Sequence, residues 1–116
     1  MSADCVFCKI ISGEIPSDKL LENEWVIAIR DINPAARVHV LVMPKKHIRN
    51  ILEVVEADER YILEVHKAIR ELAVQTGIAA DGFRVINNCG KHGGQTVDHL
   101  HYHLIGGQCL GAKLLG

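Results

Sequence analysis

Three histidines at alternate positions constrain this chain more than any other feature. They are His99, His101 and His103, in the segment TVDHLHYHLIGG that covers residues 96–107. Side chains on a β-strand alternate between faces, and residues two apart lie about 6.5–7 Å from one another along it. A strand here would put the three imidazoles on one face. Leu100, Tyr102 and Leu104 would point the other way and bury against a helix. One strand histidine is usually structural, whereas three in strict alternation point to chemistry. Two chemistries use such a set. Three histidine ligands make a catalytic zinc site. Alternatively, an imidazole nitrogen, largely unprotonated near neutral pH, attacks phosphorus or carbonyl carbon.

The preceding loop, NCGKHGGQ, favours a phosphate. Gly90, Gly93 and Gly94 allow backbone to approach a ligand and turn N–H groups toward an anion. Asn88, Gln95 and Thr96 add side-chain donors. A second candidate site lies near the start. Cys5 and Cys8, at i and i+3, can share one side of a helical turn, and such a CxxC pair suggests metal or redox chemistry. No thioredoxin-like βαβ pattern supports the redox choice. Cys89 and Cys109 have no such neighbour and read as spare thiols. His66 on the long helix and His92 in the glycine loop read as solvated. Lys45 and Lys46 read as exposed, with at most a weak attraction for a nucleotide.

The remaining chain reads as an α+β domain. CVFCKIISG is a short helix with Phe7, Ile10 and Ile11 on its apolar face and Gly13 as its stop. Ile15-Pro16 forces an extended step. Lys19–Glu22 and Trp25–Arg30 read as strands joined across Asn23-Glu24, where asparagine tolerates positive φ. Residues 31–37 form a loop, and Val38–Met43 is a β-branched strand ending at Pro44. A long helix runs from about Asp58 to Thr76, with Ile62, Val65, Ile69 and Leu72 at helical spacing and Gly77 at its end. Phe83–Asn87 is a short strand, and Val97–Ile105 is the last. This order predicts a mainly antiparallel sheet of about five strands rather than repeated βαβ units.

At 116 residues the chain suffices for one domain, taken as 1–116, and not for two. A net charge of −1 gives no excess of basic residues for binding a nucleic-acid polymer. No apolar run approaches the roughly 20 residues that span a bilayer. The N-terminus lacks the features of a signal peptide. The expected setting is therefore cytoplasmic, without a membrane partner.

These residues carry a resemblance. His99-Leu-His101-Tyr-His103-Leu-Ile resembles the histidine triad signature. CVFCKIISGEIPS, RDINP, VHVLVMPKKHI and GGQTVDHLHYHLIGG fall at matching spacing, so the likeness covers nearly the whole chain. Within the histidine triad (HIT) family it looks like the Hint branch, the histidine triad nucleotide-binding proteins. The resemblance implies a homodimer whose two sheets join into one, purine nucleoside monophosphate binding and hydrolysis of adenosine-5′-phosphoramidate-type substrates. It implies no cofactor for catalysis. His101 matches the nucleophile, His103 a phosphate contact and His39 an auxiliary histidine, while the backbone carbonyl of His99 would fix the His101 tautomer. Asp31 matches the ribose-binding acid. Asn88, Gly94 and Thr96 match phosphate contacts, and Phe7, Ile10, Ile29, Ile32 and Leu41 match the apolar base pocket. In some bacterial members Cys5, Cys8, His47 and His99 would correspond to a structural zinc site. Asp98 departs from the aromatic or apolar residue common in relatives. The tail departs too, lacking the Trp-Pro-Pro-Gly ending and carrying Gln108 where arginine is frequent. Three rival functions remain open: a dinucleoside polyphosphate hydrolase, a nucleotide-binding regulator with little turnover, and a zinc hydrolase using all three histidines.

Overall fold

The computed structural model describes residues 4–112. Its elements run α1 (Val6–Ser12), β1 (Lys19–Glu22), β2 (Val26–Arg30), β3 (Val38–Pro44), two single-turn 3-10 helices (Ile51–Glu53 and Glu56–Asp58), α2 (Glu59–Gln75), β4 (Arg84–Ile86) and β5 (Tyr102–Gly106). The strands form one antiparallel sheet in the order β1-β2-β3-β5-β4. This is the α+β architecture expected from the sequence. Among the described residues, no helix is long and apolar enough to cross a membrane.

The period-two pattern of β2 and β3 sorts their side chains onto two buried faces. Val26, Ala28, Val40 and Val42 meet Val65, Ala68, Ile69, Leu72 and Ala73 of α2, together with Leu104 of β5. Ile27, Ile29, Leu41 and Met43 meet Cys5, Phe7, Cys8 and Ile10 from the α1 segment on the opposite face. Such central strands read as near-continuous hydrophobic runs because both sides are covered. In β5, Leu104 joins the α2 core and Tyr102 packs against it, as alternation requires, and Leu100 is fully buried.

Helix α1 is short and its cap is unusual. The Cys5 thiol accepts the Cys8 N–H at 3.3 Å, a role serine or aspartate commonly fills. Gly13 at φ 87° closes the helix, its N–H bonded to Ile10 O at 3.1 Å.

Four local expectations need correcting. The final strand starts at Tyr102, not Val97. The β3–β5 register pairs Val42 with Tyr102, which would put Pro44 opposite Leu100. Proline has no N–H to continue that ladder. Leu100 instead donates its N–H to Ile48 O at 2.6 Å. At the Asn23 turn, no non-glycine residue among those described has positive φ. Asn23 works through its side chain, whose Oδ1 accepts from Trp25 N and Val26 N at 2.8 and 2.9 Å. The strand expected at Phe83–Asn87 narrows to Arg84–Ile86. Finally, Lys46 is exposed as expected but Lys45 is half-buried, and both are paired. Lys45 bridges Glu22 at 2.9 Å, and Lys46 bridges the buried Asp58.

Candidate active site

The sheet face under α1 carries the histidines. His103 pairs across β3–β5 with Leu41, and His39 pairs with Ile105. Side chains of directly opposed residues lie on the same face, so His39, Leu41 and His103 share the α1 side. His99 and His101 approach it from the irregular segment before β5. Thus all three triad histidines gather near this face, but strand geometry places only the last of them.

The three imidazoles do not converge on one point; each has its own partner. His101 Nδ1 lies 2.7 Å from the carbonyl of His99, which can only accept. Nδ1 therefore carries the hydrogen, and in the neutral ring Nε2 is the nitrogen that holds the lone pair. Phe7 stands edge-on to this ring, with centroids 5.0 Å apart. Asn87 Nδ2 donates to the His101 carbonyl at 3.0 Å. Sequence reasoning passed over Asn87, because nothing in an Asn-Asn pair indicates which side chain turns inward.

A second chain of contacts fixes the other tautomers. The backbone N–H of Ala35 donates to His39 Nδ1 at 3.0 Å, so that nitrogen is unprotonated. His39 Nε2 then holds the hydrogen. It donates to His103 Nδ1 at 2.9 Å, with Asp31 Oδ2 farther off at 3.4 Å. His103 consequently presents Nε2–H as a donor. Asp31 is itself oriented, its Oδ1 accepting Asn33 N at 2.8 Å and its own N–H bonding to His39 O at 3.0 Å. Burial, reinforced by neighbouring His101 and His39, holds the His103 imidazole below its ordinary pKa despite the opposing pull of Asp31.

Beside these rings lies a cavity of about 550 Å³ lined by Val6, Phe7, Ile10, Ile15, Pro16, Ser17, Asp18, Ile29, Arg30, Asp31, Ile32 and Leu41. It contains five of the expected base-pocket positions, and Asp31 stands on its wall. Ile32 belongs to the rim, being 92% exposed. Val6, Ile15 and Pro16 complete an apolar lining that spacing alone did not reveal. The glycine loop departs from expectation in two respects: the N–H groups of Gly90 and Gly94 are bonded within the loop, to Gln95 Oε1 and to Lys91 O, rather than turned toward an anion, and the Gln95 amide is engaged. Gln95 is not available to a ligand: its Oε1 accepts Gly90 N, and its Nε2 donates to Arg49 O and Val97 O. It braces the loop instead. Gly93 is needed by the loop itself, since a Cβ there would lie 2.5 Å from Cys89 O. Asn88 is half-buried and Gly94, at φ 78°, is exposed. Thr96 lines a second cleft with Asp4, Cys5, His47, Arg49 and Asp98. His66 and His92 are exposed.

The remaining expected set forms a compact cluster. Ligand atoms of Cys5, Cys8, His47 and His99 all lie within 4.8 Å of one another. His47 Nδ1 and His99 Nδ1 are 3.2 Å apart, and Cys8 Sγ lies 3.2 Å from the former and 3.6 Å from the latter. Cys5 Sγ is 3.5 Å from His99 Nδ1. Tetrahedral zinc bond lengths demand about 3.3 Å between nitrogens and about 3.6 Å between nitrogen and sulfur. His99 Nε2 donates to Pro44 O at 2.9 Å, which aims the lone pair of Nδ1 at the thiols. Burial, aided by His47 and His101, lowers the His99 pKa from 6.5 to about 4, keeping that lone pair unprotonated. The donor set fits a closed four-coordinate ion. Asp31, His39 and His103 are also close, but the hydrogen bond between the two rings occupies the atoms a metal would need.

Fold and site together define a histidine-based α+β domain with an apolar cavity beside its imidazoles. The chain belongs to the HIT family: residues 12–109 match the HIT domain model. It is 41% identical over 114 residues to the purine nucleoside phosphoramidase of Escherichia coli K12, covering 98% of this chain and 96% of that protein. An uncharacterized HIT-like protein of Synechococcus elongatus is 43% identical over 95% of this chain and 96% of its own length. Among solved structures, a HIT family hydrolase from Clostridium thermocellum superposes with a TM-score of 0.96. It is 53% identical, over 99% of this chain and all of that one.

Proposed function

We propose that this protein is a purine nucleoside phosphoramidate hydrolase that acts through a nucleotidyl-histidine. The observation that carries this reading is the His101 ring, with Nδ1–H committed to the His99 carbonyl and Nε2 holding the lone pair of the neutral ring. Nε2 attacks the α-phosphorus. The phosphorus–nitrogen bond breaks, and its electron pair leaves with the amine, which takes up a proton. Water then attacks the phosphorus of the nucleotidyl-histidine, releasing the nucleoside monophosphate and restoring the imidazole. Dividing one displacement into two lowers each barrier. His103 Nε2–H donates to a phosphate oxygen, and His39 holds His103 in the tautomer that can do so. Asn88, Gly94 and Thr96 complete the phosphate contacts. Asp31 accepts from the ribose hydroxyls, while Phe7, Ile10, Ile29, Ile32 and Leu41 enclose the base.

Cys5, Cys8, His47 and His99 would hold a structural zinc ion. When bound, zinc supplies a cross-link between α1, the loop after β3 and the segment before β5, and it takes no part in the reaction. The chemistry of two cysteine sulfurs and two imidazole nitrogens brought together supports this assignment. The protein would work as a homodimer joined through its sheets.

The test is direct. His101→Ala should remain folded, bind adenosine monophosphate and lose at least about 10³-fold in hydrolysis of adenosine-5′-phosphoramidate. Mass spectrometry of quenched wild-type protein should place the nucleotidyl group on His101. Its appearance on another residue would refute the mechanism. A clear preference for a dinucleoside triphosphate would overturn the substrate class.

A further inference from the structure

The cysteine–histidine cluster and the nucleoside cavity share structural parts. Phe7 sits between Cys5 and Cys8 in sequence, and its ring lines the cavity. That ring also stands edge-on to His101 at 5.0 Å and to His99 at 6.0 Å. His99 turns its Nδ1 toward the thiols, while its carbonyl oxygen accepts the Nδ1–H of His101 at 2.7 Å. One residue therefore faces the cluster with its ring and the nucleophile with its backbone. Helix α1 has only seven residues, too few to persist alone. Its position depends on what Cys5, Phe7, Cys8 and Ile10 touch.

We infer that zinc in the Cys5–Cys8–His47–His99 cluster and a nucleoside monophosphate in the cavity bind with positive coupling, Phe7 and His99 being the positioning residues that connect them. The inference rests on the cavity being the nucleoside site. Its physical basis is a shared ordering cost. Both ligands require α1 seated on the β2–β3 face and residues 99–101 held in their present course. Whichever ligand binds first meets that cost, and the second binds to a site already ordered. Linkage requires the effect to be reciprocal.

The experiment measures both halves. Calorimetry gives the adenosine monophosphate affinity of zinc-loaded and chelator-stripped protein, with circular dichroism confirming that each is folded. Competition with a chromophoric chelator gives the zinc affinity of the loaded protein with and without saturating adenosine monophosphate, and needs no stripped form. We expect about a tenfold gain in each direction, by equal factors. Amide hydrogen exchange of residues 7–11 should slow when either ligand binds. Phe7→Leu should retain zinc, and at adenosine monophosphate concentrations shown by calorimetry to saturate the variant the nucleotide should tighten zinc less than it does in wild type. Equal nucleotide affinity in loaded and stripped protein, or zinc affinity indifferent to nucleotide, would overturn the coupling and leave the nucleoside site intact. Failure to bind zinc would overturn it as well. Failure of both forms to bind adenosine monophosphate would instead refute the nucleoside reading, and the coupling with it.

Discussion

Which ring nitrogen carries a hydrogen decides what each histidine can do, and in this site backbone groups make that choice. The His99 carbonyl settles His101, and the Ala35 N–H settles His39 and, through it, His103. The spacing of the triad was visible in the sequence. The resemblance implied the His101 tautomer, but that of His103 was not visible, because His39, which fixes it, lies 64 residues away in the chain and meets it only after β3 pairs with β5. Gln95 illustrates the same limit: as a residue type it is an available donor, but the fold has already engaged both its ends. The buried state of His103 carries a pH consequence. Its native pKa is lowered from 6.5, chiefly by burial and then by His101 and His39. Below pH 6.5 the unfolded ring takes up a proton that the native ring resists, so stability falls as pH falls toward the native pKa. Above 6.5 this contribution is fully present. His103→Asn should therefore show a smaller loss of urea midpoint than wild type between pH 6.5 and 5. Parallel slopes would mean that His103 titrates alike in both states.

Elements were legible where a hydrophobic period ran long enough to specify a face. The α2 stripe and the β-branched run of β3 both formed as read, since each buries an apolar face against the other. The start of β5 was not legible, because it is set by Pro44 on a different strand. The route from β3 into α2 was also missed. Two 3-10 turns occupy it, fastened by Asp58, whose carboxylate accepts Val55 N–H at 3.1 Å and pairs with Lys46. That pairing, with the Val55 bond, holds the Asp58 pKa below the ordinary carboxylate value against the cost of burial. Its contribution is present above about pH 4 and is lost as acid protonates the native carboxylate. Lys46 directly precedes His47, so the same contact steadies a cluster residue. Asp58→Ala leaves the Val55 N–H without its acceptor and frees Lys46 to solvent. It should lower stability by about 1–3 kcal/mol in urea unfolding at pH 7. A change within error would show that the 3-10 turns hold themselves.

At the scale of the molecule, the sheet has two edges that differ in kind. β1 is guarded: Lys19 and Glu22 lie on it as an ion pair at 3.2 Å, and its pairing with β2 is broken by an irregularity between Lys19 and Leu21. Charged side chains and bulges are the devices that keep an edge from pairing with another chain. β4 carries one charged residue, Arg84, whose guanidinium is engaged by the carbonyl of Gly111. It is three residues long, its neighbour Phe83 is 41% exposed and Val85 is 42% exposed. Amino-acid order alone could not distinguish the edges, because each reads simply as a short strand. Topology makes both β1 and β4 edges, and the exposed Phe83 and Val85 set the β4 edge apart. If two sheets join, β4 is the edge where they meet. Val85→Lys would then place a charge against its own copy across the symmetry axis, where like charges oppose association. The substitution is at a solvent-facing position and should leave the protomer folded by circular dichroism. Sedimentation velocity should find wild type as a dimer and Val85→Lys as a monomer at micromolar concentration. A dimer that survives this charge unchanged would place the interface elsewhere and leave the apolar character of β4 without an explanation.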